Sequence, residues 1–123
     1  MNDLDKPAID LASRSCRACE GGVPPMTLDE SRALLPAIPG WSLGDNNKLI
    51  RRSWKAKNFM TAVEFFNHVA AIAEHEGHHP DLHLVGYRDV TIELWTHAIG
   101  GLSENDFILA AKINQIPFAV KHA

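Results

Sequence analysis

Five of the chain's seven histidines, His75, His78, His79, His83 and His97, fall between Glu74 and Asp106. Imidazole has an ordinary pKa of about 6.5, so it can give or take a proton near neutral pH. Several imidazoles in one short stretch, flanked by carboxylates, suit general acid-base catalysis. His78-His79-Pro80 is the densest part. Glu74 stands four residues before His78, one helical turn back, where a carboxylate can fix that ring's tautomer. Thr96-His97 follows, and Asp106 comes nine residues after His97.

Each of these residues also has a plainer role. A histidine at a helix C-terminus satisfies the helix dipole, which would account for His75 and for His78. Asp106 fits a helix cap, and His97 fits a strand end. His68, His83 and His122 read as ordinary surface residues. Zinc held by His78, His79 and His97 would match three-histidine catalytic centres, but adjacent histidines seldom share one ion. The residues therefore favour a metal-free pocket for proton transfer, and they do not name its substrate.

With 123 residues, 46% of them apolar and 22% charged, the chain has the size and balance of one soluble globular domain. No apolar run nears the roughly 20 residues a membrane span needs. The net charge of -3 argues against nucleic acid as the main ligand. The basic run Lys48, Arg51, Arg52, Lys55 and Lys57 reads as a solvated face. The amino-terminal stretch has acids where a secretory leader needs bases, so a cytoplasmic chain is expected. Cys16 and Cys19 form a lone CxxC. With no second CxxC to complete a zinc site, they are expected to be reduced and silent.

The elements that must position the histidines follow from periodicity and caps. Residues 1–25 lack periodicity and read as a flexible arm, leaving 26–123 as a single domain. Thr27 and Glu30 match a capping box that opens a short helix ending before Pro36. A hairpin follows, from Trp41 through a turn at Gly44–Asn47 to Leu49–Lys55. Phe59, Ala62, Val63, Phe66, Val69, Ala70 and Ala73 form the stripe of a long helix capped by Asn58 and ended by Gly77. His83–Tyr87 and Val90–Thr96 predict a second hairpin turning near Arg88-Asp89, with Val90, Ile92 and Leu94 on one face. Ser103 caps a last helix, apolar around most of its girth, which predicts burial against another subunit. The order αββαββα gives an α+β fold, an antiparallel four-stranded sheet with helices on one face.

Glu74, His78-His79-Pro80, Tyr87, Thr96-His97 and Asp106, in this spacing, resemble the pterin-4a-carbinolamine dehydratase family, also known as the dimerisation cofactor of a homeodomain transcription factor. The resemblance covers about residues 27–118 and is most specific over 74–106. It implies a hydro-lyase that removes water from 4a-hydroxytetrahydropterin to give quinonoid dihydropterin, with no metal and no other cofactor. It implies a small-molecule pterin substrate and a functional link to aromatic amino-acid hydroxylases such as phenylalanine hydroxylase. A homodimer or homotetramer is expected, with no nucleic-acid or membrane partner. His78, His79 and His97 take the catalytic positions, with Glu74, Pro80, Thr96 and Asp106 on the substrate side. We expect His78 and His97 to exchange protons and His79 to orient the pterin, with acid and base unassigned. Two other readings stay open: a non-catalytic dimerisation or coactivator module using the last helix, and a related pterin role in molybdopterin metabolism.

Overall fold

Strict alternation in one strand decides which way the sheet faces. The structure is a computed structural model that describes residues 10–17 and 23–120. Its helices are α1 (Leu28–Leu34), α2 (Phe59–Glu76) and α3 (Glu104–Asn114). The strands are β1 (Ser42–Gly44), β2 (Leu49–Lys55), β3 (Asp81–Val85) and β4 (Asp89–Leu94), all antiparallel in the order β1-β2-β4-β3. On β4, Val90, Ile92 and Leu94 are buried under the helices. The intervening residues carry a polar network on the open face, where Ser53 and Thr91 hydroxyls lie 3.0 Å apart and Glu93 takes Arg51 and His83. Element order and fold class are those expected.

α2 and α3 close the core through Ala62, Phe65, Val69 and Ala73 on one and Phe107, Leu109, Ala110 and Ile113 on the other. The predicted stripe on α2 needs correction. Phe65 is buried, whereas Phe59 is 50% exposed and Ala70 lies outside. Residues 62, 65, 69 and 73 follow the 3.6-residue period, and the expected set straddled two adjacent faces. The second hairpin turns earlier than predicted, at Gly86–Arg88, because Gly86 (φ 60°) and Tyr87 (φ 58°) take the left-handed backbone the turn requires.

Of the basic run, Lys48, Lys55 and Lys57 are exposed, as a solvated face requires, while Arg51 and Arg52 are engaged within the fold. Arg51 pairs with Glu93, and Arg52 lies over the Trp54 ring at 4.7 Å while donating to Asn114 Oδ1 at 2.6 Å. Burial lowers the pKa of Arg52. Among the described residues, no helix is long and apolar enough to cross a membrane.

Part of the segment expected as a flexible arm is docked. Leu11 is 1% exposed within the core cluster, and Lys112 Nζ donates to the Ala12 carbonyl at 2.9 Å. Arg14 pairs with Glu104. Asn105 clamps the backbone of Arg17, accepting from its N–H at 2.9 Å and donating to its carbonyl at 2.5 Å. This segment covers the outer side of α3, where Ile108 is 3% exposed. The expectation that another subunit must bury α3 is thereby corrected, since the second cover comes from the same chain. Burial pushes the Cys16 thiol up to about 11, with the nearby Glu76 carboxylate adding to the effect. Cys19 lies outside the described residues.

Candidate active site

Gly77 (φ 66°) ends α2 in the left-handed conformation that residues with a Cβ rarely adopt. The turn delivers His78 and His79 from the helix end before β3 begins. His78 is nearly enclosed, and its Nε2 lies 2.6 Å from Oδ1 of Asp106, a side chain with 0% exposure. The other oxygen of Asp106 accepts from the Thr96 hydroxyl at 2.8 Å and the Ser103 N–H at 2.9 Å. Three donors on one buried carboxylate leave it little freedom, and it holds the His78 ring in turn. A carboxylate only accepts, so Nε2 of His78 carries a proton and Nδ1 is the nitrogen left for exchange.

His79 makes a parallel arrangement on the surface. Its Nε2 lies 2.7 Å from Glu74 Oε1, with the side chains 62% and 78% exposed. Glu74 was expected to support His78. The reversal at Gly77 instead brings the second histidine back over the last turn of α2, and Asp106 takes the first.

His97 opens a short 3-10 turn (His97–Ile99) closed by the backbone pair of Thr96 and Gly101, at 2.8 and 3.4 Å. Gly101 is required there, because a Cβ would lie 2.7 Å from the Pro25 ring. The His97 ring stacks on Trp95, centroids 3.7 Å apart and planes within 21°. Trp95 Nε1 donates to Asp81 Oδ2 at 3.3 Å, tying the stack to β3. Trp95 and His97 share one side of extended backbone, while Thr96 between them points inward to Asp106.

These parts surround an open cleft of about 550 Å³ whose walls include His78, His79, Trp95, Thr96 and His97. Asp106, expected on the substrate side, does not line the cleft but lies buried behind it, bonded to His78 and Thr96. The Thr96 hydroxyl, likewise expected to face substrate, is engaged with Asp106 and Ser103. Pro80 and Glu74 do not line the cleft; Pro80 constrains the backbone of His79. Sequence reasoning missed Trp95, Arg17, Glu76 and Asn105, all of which do line it. Trp95 was legible as the i−2 neighbour of His97, but nothing in the leader pointed to Arg17. Among the described residues, no three His, Cys, Asp or Glu side chains gather to hold a metal ion.

The family model described as pterin 4 alpha carbinolamine dehydratase matches residues 24–116. The chain belongs to that family. As a pterin-4-alpha-carbinolamine dehydratase family member it is 52% identical over 110 residues to pterin-4-alpha-carbinolamine dehydratase 2, mitochondrial, of Arabidopsis thaliana, covering 87% of this chain and 59% of that protein. It is 49% identical to a putative pterin-4-alpha-carbinolamine dehydratase of Nitrosomonas eutropha, covering 87% of this chain and 93% of the relative. A crystal structure of a transcriptional coactivator/pterin dehydratase from Brucella melitensis superposes with a TM-score of 0.68 at 37% identity, covering 73% of this chain and 95% of that one. The family and the dehydratase activity expected from the sequence both agree with these matches.

Proposed function

We propose that the chain removes water from 4a-hydroxytetrahydropterin by histidine acid-base catalysis, with His78, His79 and His97 as the catalytic residues. The observation that carries this reading is His78, bonded to fully buried Asp106 and sharing one cleft with His79 and His97. In the reaction the bond from C4a to the hydroxyl oxygen breaks, and the oxygen leaves with the electron pair and takes a proton from one imidazolium. A ring nitrogen supplies the pair for the new C=N bond, and its N–H proton passes to a second imidazole. Water and quinonoid dihydropterin are the products. His78 and His97 exchange the protons, and His79, held by Glu74, orients the pterin.

Positioned acid-base groups contribute about 10² to 10⁴-fold each. His78→Ala and His97→Ala should therefore each lose at least about 10²-fold in kcat for dehydration while keeping the parent circular dichroism. Unchanged turnover in both folded variants would overturn the reading.

The proposal extends to a cytosolic homodimer or homotetramer that serves phenylalanine hydroxylase by clearing its carbinolamine product. Exposed Phe59, Met60, Leu82 and Val85 support self-association, since they offer apolar surface on α2 and on the edge strand β3. Light scattering at a series of concentrations tests it, and a monomer throughout would remove it. A coactivator module using α3 would have to displace residues 10–17, which pack against that helix through Ala12, Arg14 and Arg17.

A further inference from the structure

The cleft has a wall that the family pattern does not supply. Arg17 lines it, yet lies outside the matched residues 24–116. Its backbone is clamped in both directions by Asn105, a 7% exposed residue at the start of α3, directly beside the Asp106 that holds His78. The docked leader therefore fixes where the Arg17 side chain starts, even though the side chain itself is exposed.

Among the described residues, the carboxylates nearest the cleft are each engaged. Asp106 is taken by His78, Glu74 by His79, Glu76 lies 3.5 Å from Lys112, and Glu104 is taken by Arg14. Among the described residues, the Arg17 guanidinium has no carboxylate within ion-pair distance. A guanidinium is donor-only and planar, and its fork matches the two oxygens of a carboxylate or phosphate. Arg17 lines the same cleft as His78, His79 and His97, so a ring placed among the histidines leaves Arg17 to meet what the ring carries.

Resting on the dehydratase reading above, we propose that Arg17 is a specificity-determining residue that binds an anionic substituent, phosphate or carboxylate, carried by the pterin outside its ring. Asn105 is its positioning residue.

The test is fluorescence titration of the full chain with two matched pairs of dihydropterins. One pair is 7,8-dihydroneopterin and its 3′-phosphate; the other is 6-hydroxymethyl-7,8-dihydropterin and 6-carboxy-7,8-dihydropterin. The parent chain binds the anionic member of at least one pair about tenfold more tightly, the worth of a charge-assisted hydrogen bond. The pair that shows the preference identifies the anion. Arg17→Ala brings that ratio to about one, Arg17→Lys retains part of it, and Asn105→Ala lowers it with the charge still present, outcomes a merely structural arginine would not give. Equal binding within both pairs, or an undiminished ratio in Arg17→Ala, would overturn the proposal and leave the dehydratase reading standing. A folded parent chain that binds none of the four pterins would overturn both.

Discussion

Asp106 Oδ1 sits 2.6 Å from His78 Nε2, while Oδ2 of the same carboxylate holds the first turn of α3 through Ser103. One buried residue thus does two things at once: it starts a helix and it orients the His78 ring. Replacing it separates the two effects. Asp106→Asn keeps the shape but presents an NH₂ where only acceptors fit, so either His78 changes tautomer or a donor faces a donor. We predict a fall in kcat of about 10²-fold or more and a loss of about 1–3 kcal/mol in urea unfolding. Full activity in the variant would remove Asp106 from the mechanism.

Glu74 and His79 form the exposed counterpart of that pair. Solvent-exposed ion pairs contribute about 0–1 kcal/mol, so Glu74→Gln should leave the unfolding midpoint nearly unchanged. Its effect on kcat should be smaller than that of Asp106→Asn, because a ring at the surface keeps solvent as an alternative partner. Steady-state kinetics on both variants checks the ranking, and the opposite order would shift the main proton-transfer role to His79.

Docking of the leader makes a stability prediction that a flexible arm would not. Leu11 is 1% exposed, and truncating a buried leucine costs about 2–5 kcal/mol. Leu11→Ala should therefore unfold at clearly lower urea concentration than the parent. An unchanged midpoint would show that residues 10–17 contribute nothing to the fold.

The open face of the sheet supplies a pH dependence. Burial raises the pKa of Glu93, but hydrogen bonds and charge from Arg51 and His83 outweigh it and hold the carboxyl below its ordinary 4.5. A depressed carboxylate contributes stability that is fully present above its unfolded pKa and is lost as pH falls through the folded one. Glu93→Gln should therefore be less stable than the parent at pH 7, and the gap should close in acid, below about 4.5. Urea unfolding across that range decides it; a gap independent of pH would assign the difference to packing.

Much of the candidate site was legible because its signals are local. The cap at Asn58, the stop at Gly77 and the alternation of Val90, Ile92 and Leu94 act over a few residues, and each appears in the structure. The α2 stripe was misread because apolar residues occupy two neighbouring faces of that helix. Choosing between them depends on where Trp54 sits, 5.1 Å from Phe65 on a strand earlier in the chain.

The sequence by itself determined the fold class, the element order and the histidines and carboxylates that could exchange protons, since caps, turns and periodicities are written in adjacent residues. Only the tertiary structure decided which carboxylate holds which histidine, and that residues 10–17 pack on α3 and bring Arg17 to the cleft. Those are contacts between residues up to 100 positions apart, as Ala12 and Lys112 are. No local pattern encodes them, because they exist only once the helices and sheet have closed on a common core.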